Sequence, residues 1–195
     1  MAFLRSVPLV DGGPIVRGDR VFMRPPQMGD HIDWAVLRGH SEAFLKPWEP
    51  EWAPDELSRS AFRRRLRYYQ RDMREGLGYA FFIFRNDDSK LVGGITLSNA
   101  RRGVSQSISV GYWTGLPFAR QGLMTSALGA IIPFVFHTLG FHRLEAACLP
   151  SNEPSRRLLE NCGFKYEGLA RQYLRINGIW QDHLLFAVVE DDVRG

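Results

Sequence analysis

Two short segments of this 195-residue chain place groups that could do chemistry at the openings of helices. The first is Val110-Gly111-Tyr112-Trp113 followed by Ala119-Arg120-Gln121-Gly122-Leu123-Met124-Thr125. It reads as a strand, a short loop broken by Gly115-Leu116-Pro117, and a helix opening at a glycine. The first N–H groups of a helix have no partner inside it, and the helix dipole favours negative charge there. Such a turn can hold a phosphate or pyrophosphate. Gly122 would let the backbone approach closely, and Arg120 would add charge. An ordinary strand-to-helix turn, with a glycine that serves only packing, has the same pattern. The second segment runs Pro150-Ser151-Asn152-Glu153-Pro154-Ser155, then Leu158-Leu159 and Cys162-Gly163-Phe164. It repeats the strand-then-helix layout. Asn152 and Ser155 could orient or protonate a reacting group, or could serve only as helix cap and first-turn residue.

The elements that must position these residues follow from periodicity and punctuation. Val21–Arg24 reads as a strand, and Gln27–Arg38 as a helix with Ile32, Ala35, Val36 and Leu37 among its apolar positions. Phe44–Trp52 reads as a proline-broken aromatic loop without regular structure. Asp55–Glu75 is a helix with Leu57, Phe62, Leu66, Tyr69 and Met73 at helical spacing, ended by Gly76. Tyr79–Arg85, Leu91–Leu97 and Val104–Trp113 read as strands. The helix after Gly122 extends to about Leu139, with a kink expected at Pro133. Arg143–Leu149 is a strand and Asn152–Asn161 a short helix. Phe164–Gly168, Tyr173–Ile176 and Trp180–Val189 are strands, the last two joined by an Asn177-Gly178 hairpin turn. The sum is α+β: a mixed, largely antiparallel sheet flanked by helices on both faces.

Together the two helix openings resemble the GNAT acetyltransferase superfamily, in which the first helix holds the cofactor pyrophosphate and the second opens with Asn and closes with Gly-Phe. The resemblance tightens to the ribosomal-protein-alanine N-acetyltransferase (RimJ-like) type. It rests on Phe44–Pro50 (FLKPWEP), Ser98-Asn99 with Arg102-Gly103, Gly122-Leu123-Met124, and Asn177-Gly178 leading to Trp180 and Asp182-His183. It spans roughly Arg17 to Val189. It implies splayed central strands and one acetyltransferase domain over residues 1–195, with Met1–Gly18 as an extended N-terminal segment. It further implies acetyl-CoA as acetyl donor. The backbone of Gly111, Tyr112 and Trp113 would pair with the pantetheine arm. Ala119, Arg120, Gln121, Gly122, Leu123, Met124 and Thr125 would hold the pyrophosphate, and Asn152 would touch the arm near the thioester. Ala119 and Met124 depart from the usual cradle residues, but backbone donors carry most of that contact. Many relatives carry a tyrosine as general acid seven residues after the Asn. Here that position is Leu159, and Ser155 is the substitute. Asn152 and Ser155 are therefore the expected catalytic residues. Trp48, Glu49 and Asp182 are expected to bind the acceptor; Trp48 and Trp52 could form an apolar rim for it or pack onto the core, and Glu49, Glu51, Asp182 and His183 are candidates for a base or could serve only surface salt bridges.

The acceptor the resemblance implies is the N-terminal amine, Ala or Ser, of a ribosomal or other protein, attacked directly in a ternary complex. An α-amine near pH 7 is partly neutral, its pKa being about 7.7–8.0, whereas a lysine amine near about 10.4 needs more help. One rival keeps the donor and changes the acceptor to a polyamine, an aminoglycoside or an amino acid. Another, of a different class, is a non-catalytic ribosome- or RNA-binding module, suggested by Arg59, Arg63, Arg64, Arg65, Arg67, Arg71 and Arg74 on one helix. Such a run is usually a solvated face, so nucleic acid is not the expected partner.

Composition is that of a soluble globular chain, 45% hydrophobic and 24% charged with net charge +4. No membrane span or signal peptide is read, so a cytoplasmic monomer or homodimer is expected. Cys148 and Cys162 form no CxxC pair and the five histidines do not cluster, so no metal is expected.

Overall fold

The computed structural model describes residues 13–193. Most of the expected N-terminal segment, residues 1–12, lies outside the described residues. The remainder contributes a short strand, β1 (Val16–Arg17), which pairs antiparallel with β2 (Val21–Arg24).

Eight strands form one sheet in the order β1-β2-β3-β4-β5-β6-β8-β7. Beyond the first two these are β3 (Tyr79–Arg85), β4 (Leu91–Arg101), β5 (Ser107–Thr114), β6 (Arg143–Cys148), β7 (Lys165–Ile176) and β8 (Ile179–Val189). Every pair is antiparallel except β5–β6. A parallel pair needs a crossover, supplied here by the helix α4 (Leu123–Pro133). The fold is the α+β arrangement read from the sequence.

Both sheet faces are covered. Strand β3 shows why its sequence, YAFFIFR, is an unbroken apolar run. Phe81 and Ile83 point into the core under α4 with Ile95, Leu97, Ile108, Leu128 and Ile131. Phe82 and Phe84 point the other way, toward Trp34 and Leu37 of α1 (His31–His40) and Phe62 and Leu66 of α3 (Arg59–Glu75). Alternation is hidden when both faces are buried. The fifth helix, α5 (Glu153–Asn161), covers the end of the α4 face, with Leu159 in the core.

Several boundaries differ from expectation for physical reasons. The first helix splits into a 3₁₀ turn, Met28–Asp30, and α1, which runs through Gly39 to His40. Its buried face carries Trp34, Leu37 and Arg38, while Ile32 and Val36 lie 71% and 53% exposed. The Phe44–Trp52 segment is irregular only from Glu49 on. It holds a short helix, α2 (Glu42–Leu45), and a 3₁₀ turn, Lys46–Trp48, with Pro47 at the start of the turn, where its missing N–H costs nothing. Helix α3 begins later than expected, because the Ser58 side chain accepts from the Ala61 N–H and caps it. Pro133 ends α4 and the chain continues as a π turn, Phe134–Thr138, in which Leu139 N–H donates to the Phe134 carbonyl. Val104 is fully exposed and precedes β5, and β7 is one strand with bulges.

Candidate active site

The parallel pair at the sheet centre is short. Strand β5 pairs with β6 only at Ser107–Ser109 against Arg143–Glu145. Beyond that point β5 continues to Thr114 on β4, and β6 continues to Cys148 on β8. The strands therefore splay, and the β6-facing backbone edge of residues 110–114 is left without a strand partner. Exposed edges of this kind take an added extended chain through main-chain hydrogen bonds. An amide-bearing arm fits such a wedge.

At the mouth of the wedge stands the opening of α4. Arg120 and Gly122 both adopt left-handed backbone conformations, with φ of 58° and 74°. The N-terminal N–H groups of α4, from Leu123 on, open this turn, and no side chain caps them. The loop is held from below. Gln121 Nε2 donates to the Pro117 carbonyl at 2.8 Å, and Arg20 Nη1 donates to the Gln121 carbonyl at 2.5 Å. Arg20 thus joins Arg120 beside a set of free backbone donors, which fits a pyrophosphate. Nothing near Gly122 in sequence signals Arg20, which comes from the turn before β2.

Where the wedge meets α5, three polar side chains come together. Asn152 caps the helix by accepting from the Ser155 N–H at 3.2 Å. Ser155 Oγ lies 2.7 Å from the Tyr112 hydroxyl. Burial pushes the Tyr112 phenol far above its ordinary value, so it stays protonated. Burial also pushes the Cys148 thiol up, offset only in part by the neighbouring Ser155 hydroxyl. A thiol held protonated is a poor nucleophile. Sequence reasoning used only the backbone of Tyr112. Its side chain, which shares a face of β5 with Ile108 and Val110, reaches α5 across 43 residues of chain.

The opposite face of β5 floors a cleft of about 480 Å³. Gly94, Thr96, Gly111, Tyr112 and Trp113 contribute to its floor, and Arg38, Glu49, Glu51, Trp52, Glu56 and Arg65 to its walls. Gly94 is required: a Cβ there would sit 2.5 Å from Trp113 Nε1. Two of the three acids are neutralised. Arg38, 5% exposed, donates two 2.7 Å hydrogen bonds to Glu49, which also accepts from Trp52 Nε1 at 2.8 Å. The Arg38 guanidinium lies between the rings of Trp52 and Trp113, 4.4 and 5.0 Å from their centroids. Glu56 pairs with Arg65. Glu51 is exposed, has no partner among the described residues, and lies beside the Gly178 turn of the β7–β8 hairpin. That hairpin is anchored to the cleft wall by Asn177 N–H donating to the Glu49 carbonyl at 2.9 Å.

The expected site residues therefore divide. Gly111, Tyr112, Trp113, Ala119 to Thr125, Asn152 and Ser155 surround one continuous wedge and turn. Glu49 lines the cleft, but its carboxylate is committed to Arg38 and Trp52. Trp48 is on the surface outside the cleft lining, where Trp52 takes its place. Asp182 is also outside it, and accepts from the Gln172 N–H at 2.8 Å in a β7 bulge. His183 is buried, with Nδ1 3.0 Å from the Gln181 carbonyl. Among the described residues, no group of three His, Cys, Asp or Glu could hold a metal ion, and no helix is long and apolar enough to cross a membrane.

Comparison with known proteins follows the same outline. Residues 20–165 match the family model of the acetyltransferase (GNAT) domain. The chain is 32% identical over 178 residues to the probable N-acetyltransferase YjcK of Bacillus subtilis (strain 168), covering 91% of this chain and 98% of that protein. It is 33% identical over 174 residues to the ribosomal protein uS5-alanine N-acetyltransferase of Escherichia coli (strain K12), covering 89% and 90%. Its fold superposes on Mycobacterium smegmatis RimJ in complex with CoA-disulfide with a TM-score of 0.86 at 30% identity, covering 93% of this chain and 88% of that one.

Proposed function

Because the chain belongs to the GNAT acetyltransferase family, as an N-acetyltransferase with acetyl-CoA as donor, we propose that its acceptor is the N-terminal α-amine, Ala or Ser, of a ribosomal or other protein in the cytoplasm. The observation that carries this reading is the meeting of two spaces across β5. The wedge on one side suits the extended arm of the donor, and the cleft on the other is walled by aromatic rings with one unneutralised acid, Glu51. The 33% identity to a ribosomal-protein-alanine acetyltransferase supports the same acceptor class.

Each residue then has a role. Arg20, Arg120 and the N–H groups of Gly122 to Thr125 bind the pyrophosphate. The free edge of Gly111 to Trp113 pairs with the pantetheine amides, and a backbone N–H there polarises the thioester carbonyl. The cleft admits the amine, whose positive form is attracted by Glu51. The neutral amine attacks the carbonyl carbon, the C–N bond forms and the C–S bond breaks. The proton shed by the amine leaves to water, and the departing sulfur receives a hydrogen bond from Ser155 Oγ or a proton relayed through it, Ser155 taking a proton from water as it gives up its own. Tyr112 is a positioning residue: it keeps its own proton and donates to Ser155, so that the Ser155 hydroxyl hydrogen is free to point at the sulfur. With Cys148 held as a buried thiol, transfer is direct, without an acetyl-cysteine.

The test is a comparison of kcat/KM for peptides beginning with Ala or Ser, the same peptides blocked at the α-amine, and spermidine, kanamycin or free alanine. The reading expects the free peptides to lead by at least about tenfold, the effect of about 1.4 kcal/mol in transition-state binding. A small amine that leads instead would move the acceptor class.

A further inference from the structure

The outer flank of α3 has no role in donor or acceptor binding as described above. We propose that it is a docking surface for RNA, engaged while the acetyltransferase site is in use. At about 100° per residue, Phe62, Leu66 and Met73 face the core and Tyr69 the cleft. Arg65 falls on the flank beside the cleft and pairs with Glu56 there. Arg59, Arg63, Arg67 and Arg74 fall together on the opposite flank, all exposed and none with an acid partner among the described residues. Arg59, Arg63, Arg67 and Arg71 are each four residues apart, a ridge of positive charge repeating about every 6 Å.

Charge is concentrated on this element. Helix α3 holds seven arginines against Asp72 and Glu75, so its net charge exceeds the +4 of the whole chain. The remainder of the protein is close to neutral, which marks the flank as a localised footprint rather than general basicity. Beside the ridge, Arg64, Arg67, Tyr68, Gln70, Arg71 and Arg74 line a shallow depression of about 540 Å³. Tyr68 is 52% exposed within it, with the Arg71 guanidinium 4.9 Å from its ring centroid. Arginines that contact phosphates, with an aromatic ring on which a base can stack, match unpaired RNA. An anionic membrane is the weaker fit, because Tyr68 is the only large ring in the depression and the flank has no apolar side chain to insert.

The sequence expectation of a solvated arginine face changes for one reason: Arg65 beside the cleft, Arg64 and Arg71 are each paired with an acid, whereas Arg59, Arg63, Arg67 and Arg74 have no acid partner among the described residues. The surface does not depend on which amine the enzyme acetylates.

The test uses the full-length protein and a fluorescein-labelled RNA hairpin with a single-stranded loop, titrated by anisotropy from about 50 to 200 mM salt. The wild type should bind with a steep negative slope of log affinity against log salt. The R59Q/R63Q/R67Q/R74Q variant should lose about 3 from that slope, at about 0.7 per phosphate contact, and weaken at least tenfold at the lowest salt. The matching variant with four lysines should retain most of the binding. Acetylation of an Ala-initial peptide should be unchanged in both variants, which also shows that they fold. An unchanged slope in the glutamine variant, no RNA binding by the wild type, or tighter binding to phosphatidylserine vesicles than to RNA would each overturn the proposal.

Discussion

Replacing Ser155 by Ala removes the donor to the leaving sulfur and strands the Tyr112 hydroxyl. The two consequences can be read separately. In catalysis, loss of a general acid costs about 100-fold in kcat, toward the low end for such groups because a thiolate is a fair leaving group. The KM for acetyl-CoA should change little, since the pyrophosphate turn is untouched. In stability, the buried Tyr112 hydroxyl loses its 2.7 Å partner. An orphaned buried hydroxyl costs about 1–3 kcal/mol. For a domain of this size that lowers Tm by about 3–10 °C. The helix cap survives, because Asn152 accepts from the Ser155 backbone and not its side chain. Tyr112→Phe should behave differently. Ser155 remains but is less well aimed, so kcat should fall by about 5–10-fold, with a stability loss near about 1 kcal/mol. The double variant is the decisive one. It should be no slower than Ser155→Ala alone and more stable than it, because no orphan remains. Steady-state kinetics and thermal melts of the four proteins complete the cycle. A Ser155→Ala enzyme with full kcat, or single losses that multiply in the double variant, would refute the Tyr112–Ser155 argument.

Other outcomes follow from the same structure. Gly122→Ala forces a side chain into φ of 74° and places Cβ 3.3 Å from Arg20 Nη1. It should raise the KM for acetyl-CoA by about tenfold with kcat within about twofold, given a strain of about 1–2 kcal/mol; an unchanged KM would show that the turn does not hold the pyrophosphate. Glu49→Ala leaves the buried Arg38 charge without its bidentate partner and should cost about 3–5 kcal/mol, seen as a Tm lower by about 10 °C. A melt within about 2 °C of wild type would mean the pair is not structural. Glu51→Gln, at an exposed carboxylate, should raise the peptide KM only about two- to fivefold and leave the acetyl-CoA KM alone. Burial raises the Cys148 thiol, so at pH 8 less of it is thiolate than in a free cysteine. Its alkylation by iodoacetamide in the folded protein should be at least about tenfold slower than that of a free thiol, and a fast reaction would reopen a covalent route.

Local signals made much of this legible. The apolar run of β3, the Gly76 stop of α3, the Asn152 cap of α5 and the Asn177-Gly178 turn each follow from residue type and spacing over a few positions. The glycine-opened turn before α4 and the Asn152–Ser155 opening of α5 were legible for the same reason. The juxtapositions were not. Tyr112 meets Ser155, and Arg20 meets Gln121 across 101 residues, only because the sheet order brings them together. Trp52 lines the cleft, and Trp48 does not, because Arg38 and Glu49 orient the loop, a long-range ion pair with no sequence signature. The buried face of α1 is not legible from its apolar positions, because Arg38 occupies an inward place while Ile32 and Val36 are exposed.

The most direct measurement is mass spectrometry of a peptide with a free N-terminal Ala and an internal Lys, incubated with the enzyme and acetyl-CoA. The account predicts one added acetyl group, located by fragmentation on the α-amine, and none on the peptide blocked at its N-terminus. Acetylation of the lysine instead, or no transfer by an enzyme that binds acetyl-CoA and acetylates spermidine, would contradict it.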